Sequence, residues 1–319
     1  MATHTQVTPD TEPTPEFDAR CMTYIRGWQH GEIPSSEVVD KLKDLAREAH
    51  ATGHIANEAR AEHLSGYIQH YIGNLSISIM HYEKARHLFD RVGNRSRVIV
   101  MDINQGENYR YRGEFKRARR LYHQAYEAAN TINNARLQTI AITNEGLSLV
   151  SLHEFDRAEQ ALLHGLELSN HWDDRSNLQA LLTEIYFGLA QVALANNSYN
   201  TAWEHAQRSL ENARQGENMH SIGLAYRILG DVLTVPGETP DDSDFDTPDE
   251  YYRAALDTFR EIDAEAEIGR TIYSHARSYA RRKRRRHAAQ LYREAMVTFT
   301  RLGMTDDAAS AAEAQLEVM

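Results

Sequence analysis

Sixteen histidines are the first residues in this 319-residue chain that could do chemistry. His50 and His54 stand at i,i+4, His63 and His70 at i,i+7, and His81 lies near His87; an i,i+4 pair on one helix face can hold a metal ion. Gly53 interrupts the first pair, and no cysteine or acid stands at a spacing that would supply a third ligand, so no metal site is expected. Cys21 is the only cysteine, which excludes an internal disulfide and any multi-cysteine zinc or iron–sulfur site. Serine, histidine and aspartate are plentiful, yet no nucleophile comes with a supporting motif: no P-loop, no glycine fingerprint after a strand and no HExxH. The reading is therefore no enzyme, no catalytic residue and no cofactor. What remains is electrostatic. The run Arg281-Arg282-Lys283-Arg284-Arg285-Arg286 by itself suggests nucleic acid or a polybasic targeting signal.

The elements that would position these residues follow from an internal repeat. The segment from Asn104 aligns without a gap with the segment from Asn144, at an offset of 40 residues. In both, a small residue (Gly106, Gly146) is followed three later by a bulky one (Tyr109, Leu149), then by Glu-Phe (Glu114-Phe115, Glu154-Phe155), then by alanine (Ala118, Ala158) and a larger apolar residue (Tyr122, Leu162). Small residues let two helices approach, bulky ones fill the gap, and the Gly/His-Glu-Phe stretch marks the turn between them. Further copies are anchored at Gly66, Ala190, Gly230 and Ala276, so successive anchors are 40, 40, 44, 40 and 46 residues apart.

This grammar resembles the tetratricopeptide repeat (TPR) family, in the longer-repeat variety of about 40 residues, and the resemblance covers roughly Ala56 to Met304. The fold it implies is all-α: a right-handed α-solenoid of antiparallel helix pairs, a TPR-like superhelix with a C-terminal capping helix. The expected organisation is a disordered tail over residues 1–16, about seven helix pairs over 17–304 with an acidic insertion at 236–250, and a capping helix over 305–319. The first pair is degenerate, with its turn at 31–36 and Ser35 or Ser36 as a cap, and Val38, Leu42, Leu45 and Ala49 on its buried face. Thr247-Pro248-Asp249-Glu250 reads as a capping box opening a helix.

In this family the inner surface is lined by residues flanking the core slots of the first helix of each pair. Carried over, those positions are Arg60, His63, Tyr67, His70 and Tyr71, then Glu107, Arg110 and Tyr111, and further along Arg227, Asp231, Arg277 and Arg281. Tyrosine offers a rigid body with a polar tip and arginine a bidentate clamp for carboxylate, a set suited to a peptide. Asn104 and Asn144 would hold a peptide backbone through their amides. The lysine-and-asparagine carboxylate clamp used for chaperone tails is not reproduced. Repeat geometry also puts the basic run in the turn beside the insertion, whose seven acids (Glu238, Asp241, Asp242, Asp244, Asp246, Asp249, Glu250) are expected to neutralise it.

The whole-chain charge is −11, from 35 Lys+Arg and 46 Asp+Glu, which opposes nucleic acid and anionic membrane. No stretch reads as a membrane span, the first sixteen residues do not read as a signal peptide, and a cytoplasmic location is expected. The expected function is a non-catalytic protein- or peptide-binding scaffold or regulatory adaptor, with two alternatives: a ligand-sensing regulator of a signalling peptide or small molecule, or a self-assembling homo-oligomer.

Overall fold

The computed structural model describes residues 11–30, 32–172, 178–235, 240 and 243–319. Among these residues there are fifteen helices and no strand: α1 (Pro15–Gln29), α2 (Ser35–Ala51), α3 (Ile55–Tyr71), α4 (Leu75–Arg91), α5 (Arg95–Tyr111), α6 (Phe115–Thr131), α7 (Ala135–Ser151), α8 (Phe155–Ser169), α9 (Leu178–Ala195), α10 (Tyr199–Gln215), α11 (Met219–Leu233), α12 (Pro248–Glu261), α13 (Glu265–Arg281), α14 (Arg285–Arg301) and α15 (Thr305–Val318).

The 40-residue period has a simple mechanical origin. Most helices are 17 residues long and most connections are three, so two helices and two turns make one repeat. Each such turn is a left-handed cap. After α3 the Gly73 amide donates to the His70 carbonyl and the Asn74 amide to the Gln69 carbonyl, at 3.0 and 2.8 Å, with Gly73 at φ 83°. This Schellman arrangement satisfies the last carbonyls of the helix and reverses the chain within three residues. Gly113, His153 and Lys283 hold the same position in later turns, at φ 80°, 59° and 61°.

The anchors do what the repeat implies. A Cβ on Gly66 would stand 2.7 Å from the Tyr82 ring, so only glycine lets α3 and α4 approach with that ring between them. Ala85, Ala118, Ala158, Ala202, Ala255, Ala288 and Ala295 are fully buried. In the first pair Phe17, Cys21 and Ile25 of α1 meet Val38, Leu42, Leu45 and Ala49 of α2, all buried.

The chain divides into two compact units, Met1–Asn108 with Gln124–Leu137 and Tyr109–His123 with Gln138–Met319. In the first unit, residues 11–16 are built into the fold, unlike the tail expected there. Asn94 Nδ2 donates to the Thr11 carbonyl (2.7 Å) and to Glu12 (2.9 Å), Arg97 pairs with Glu12, and the Thr14 amide donates to Asn57 Oδ1 at 2.8 Å. Thr14 caps α1, whose first helical residue is Pro15, and residues 1–10 lie outside the described residues. Pro34 occupies the N-cap of α2 with no side-chain cap, and Ser35 and Ser36 lie inside the helix rather than capping it.

In the second unit α9 is 18 residues long and apolar enough, by length and composition, to cross a membrane, contrary to the expectation that no stretch would be. More than half of it is buried, and it packs against α8, α10 and α11, so its apolarity has a use in the core. The Thr247–Glu250 capping box opens α12 as expected. At the chain's end α15 covers the last pair: Ala311 is buried in one cluster with Phe299 and Met304, Ala308 packs against that cluster, and Ala314 and Val318 pack against the one around Tyr292.

Candidate functional site

The residues expected to bind a peptide fall into both units. In the first unit several are already engaged by neighbouring helices. Arg60 Nε donates to Asp18 Oδ1 of α1 at 2.6 Å and a second guanidinium nitrogen lies 3.4 Å from Met22 Sδ, so α1 holds the intended clamp. His63 faces Arg60 on one ring nitrogen and Asn104 on the other, at 3.4 and 3.3 Å. Burial, reinforced by the charges of Arg60 and Arg97, pushes its pKa down to about 3, so it is neutral. His70 Nδ1 meets Asn108 Oδ1 at 2.7 Å, and Asn108 donates to Ser78, which donates to the Gly66 carbonyl. Asn104 and His70 are therefore ties between α3 and α5. The aromatic positions are engaged too, through ring packing. Tyr71 is 61% exposed and packs with Tyr67 (4.7 Å between centroids) and Trp28 (5.6 Å). Glu107 sits partly buried on α5.

The second unit holds a cavity of about 500 Å³. Five of the residues singled out from the sequence line it: Arg110, Arg227, Asp231, Arg277 and Arg281. Asn144 does not; it donates its amide to the Ile140 carbonyl of its own helix at 3.0 Å. Tyr111 stands under two guanidiniums, Arg270 at 5.1 Å and Arg110 at 5.5 Å from its ring centre.

The walls carry charge in matched pairs. Glu267 accepts from Arg227 at 2.6 Å and from Arg270 at 2.7 Å, with Arg227 and Glu267 both buried. Burial opposes ionisation of Glu267, but the two guanidiniums outweigh it and hold its carboxyl well below the usual carboxylate range. Arg227 also lies over Phe187 and Phe259, at 5.4 and 5.9 Å. Asp231 is buried and accepts from Tyr252 (2.8 Å) and Arg277 (3.3 Å). Asp307, at the start of α15, lies 3.9 Å from Arg270, its Oδ2 accepts no hydrogen bond, and burial raises its pKa despite that arginine. Arg277 leaves 43% of its side chain exposed, and Arg281 is exposed with no ion pair among the described residues.

The second unit also closes on itself. Arg270 reaches the Arg110 carbonyl at 3.5 Å, and the turn residue Gly113 stands so near Asp306 that a Cβ there would lie 2.8 Å from the aspartate Cβ. Glu267, Arg270 and Asp307 were missed from the sequence. Two signals pointed to the first two: Glu267 lies 40 residues after Arg227, and Arg270, Arg277 and Arg281 recur at helical spacing on α13.

The expected neutralisation of the basic run is partial. Asp249 binds Arg282 (3.1 Å) and His275 (2.8 Å), whereas Asp244 turns to Arg214 of α10 and Glu250 is used in the capping box. Lys283, Arg284, Arg285 and Arg286 are exposed and form no ion pair among the described residues, and Glu238, Asp241 and Asp242 lie outside those residues. Among the described residues no three His, Cys, Asp or Glu side chains converge to hold a metal ion.

Several solved structures share this fold at low identity. The apo form of RapI superposes with a TM-score of 0.70 at 15% identity, covering 90% of this chain and 99% of that one. Aspartyl phosphate phosphatase F from Bacillus subtilis gives 0.71 at 13%, covering 89% and 70%. A Rap protein complexed with competence and sporulation factor gives 0.63 at 13%, covering 95% and 84%. Comparison with curated protein sequences finds no match. The family model of the MalT-like TPR region matches residues 34–234. That match spans more than half of the chain, and its 40-residue helix pairs and buried alanine slots are those of a TPR protein: the chain belongs to the MalT-like TPR region family.

Proposed function

We propose that this protein is a non-catalytic regulator or adaptor that binds a short peptide in the cavity of its second unit. One observation carries the reading. Arg227 and Arg270 are compensated by buried Glu267, while on the same cavity Arg277, paired with Asp231 through one nitrogen, keeps 43% of its side chain exposed and Arg281 is exposed with no ion pair among the described residues. Such a wall has its own charges in register and leaves guanidiniums over for an incoming carboxylate, which they bind in bidentate fashion. Tyr273 and Phe187, also on the cavity wall, supply apolar surface for side chains. A Rap protein with the same fold is known in complex with a factor, which supports a ligand in a fold of this kind. The phosphatase name of another solved structure belongs to that protein; here Glu267 and Asp231 of the cavity wall are engaged with arginines.

The test is a library of random hexapeptides with free carboxyl ends, screened for raised thermal stability of the full chain. Binders are then titrated calorimetrically against wild type and an Arg277→Ala/Arg281→Ala variant. Peptides that bind wild type and lose about tenfold or more in the variant support the reading, since hydrogen bonds to charged groups contribute about 1.5–3 kcal/mol. Binders unaffected by the change would move the site elsewhere.

A further inference from the structure

The turn between α13 and α14 contradicts the local chemistry of its own repeat. In earlier pairs the N-cap position of the second helix holds Asn74, Glu114, Glu154 or Ser198, of which Asn74, Glu154 and Ser198 make no side-chain cap, and the residue that opens the helix is Leu75, Phe115, Phe155 or Tyr199. Here those positions are Arg284 and Arg285, followed by Arg286. Arg284 makes no side-chain cap, and three arginines crowd the positive end of the helix dipole, where acids are favoured. Lys283 adopts a positive φ, 61°, as Gly73, Gly113, His153 and Asn197 also do in the equivalent turns. A neutral or acidic residue at the N-cap position and an apolar residue at the helix start have been exchanged for cations.

Among the described residues no ion pair offsets this cluster of cations. Asp249 is occupied by Arg282 and His275, and Asp244 by Arg214. Lys283, Arg284, Arg285 and Arg286 all face solvent. Cations gathered at the start of a helix, with no ion pair to any other described residue, mark a surface open to a partner.

We propose that Lys283, Arg284, Arg285 and Arg286 form a docking surface for an extended acidic segment of a partner protein. The surface is one turn wide, and at Arg282 it is bordered by the carboxylate of Asp249. A polynucleotide, whose charges continue along its whole length, is opposed by the chain's charge of −11. A short acidic strand crosses a single turn and meets guanidiniums that bind carboxylate in bidentate fashion. This surface is separate from the peptide cavity and stands whether or not that reading holds.

The test uses the full chain and a fluorescein-labelled decapeptide of alternating Glu and Asp, followed by fluorescence anisotropy at low and at physiological ionic strength. Wild type is compared with Arg284→Glu/Arg285→Glu and with a control of equal charge change on α2, Lys41→Glu/Lys43→Glu, whose residues are exposed. Wild type is expected to bind with an affinity that falls as salt rises. The turn variant should lose about tenfold or more, and the control should stay within about twofold. The thermal midpoint of the turn variant should not fall, because glutamates suit the start of α14 better than arginines. The proposal is overturned if the turn variant binds as wild type does, if the control loses as much, or if the variant's midpoint drops, which would make the cations structural. Displacement of the peptide by a single-stranded oligonucleotide of matched charge that binds more tightly would assign the surface to nucleic acid instead.

Discussion

Replacing Glu267 with glutamine keeps its shape and removes its charge, and the structure sets the size of the effect. Glu267 and Arg227 are 4% and 7% exposed, and both oxygens of the carboxylate are used, one by Arg227 and one by Arg270. Without the charge, Arg227 is left buried with aromatic rings for company, while Arg270 keeps Asp307 at 3.9 Å. Breaking one side of a buried pair costs about 3–5 kcal/mol. Because the amide still accepts one hydrogen bond and Arg270 retains an acid, the lower end, about 3 kcal/mol, is expected. Repeat arrays need not unfold in one step, so urea denaturation should be paired with hydrogen exchange read locally over α11 and α13.

The pH dependence supplies an independent sign. The folded carboxyl is held below its ordinary value of 4.5, so the pair's contribution is complete above that value and is lost as pH falls toward the folded pKa. The gap between wild type and variant should therefore be constant from neutrality to about pH 5.5 and narrow by about 2 kcal/mol by pH 3. A loss under about 1 kcal/mol at neutral pH, or a gap that widens in acid, would refute the view of Glu267 as the charge that organises this wall.

His63 is buried neutral, with its pKa pushed from 6.5 to about 3, so the first unit should lose about 2 kcal/mol between pH 7 and pH 5, and His63→Gln should remove that acid limb in local hydrogen exchange. Gly113→Ala and Gly73→Ala both place a side chain at positive φ, which costs about 1 kcal/mol. Only at Gly113 does the new Cβ meet Asp306, so that variant should lose about 1–3 kcal/mol more and show faster exchange across α15; equal losses would mean that α15 does not depend on this turn.

How much of this was legible in the sequence follows the range of the interactions. A 40-residue period, alanines in the second helix of each pair, and the Thr247–Glu250 cap are local facts. They depend on helical pitch, on turn conformation and on which side chains fit between two helices joined by three residues, so composition and spacing determined the family, the helix pairs and the slots of Gly66 and Tyr82. The charged residues obeyed no such rule. Arg60 is tied to Asp18 and Arg227 to Glu267, over separations of 42 and 40 residues, and Asp249 prefers Arg282 and His275 while its neighbour Asp244 turns to Arg214. A long side chain can reach several partners of opposite charge, and each candidate pair in the sequence is worth about the same. Only the packing of one pair on the next, and the return of α15 to the Gly113 turn, decided which arginines were neutralised in the core and which were left facing the cavity and the solvent.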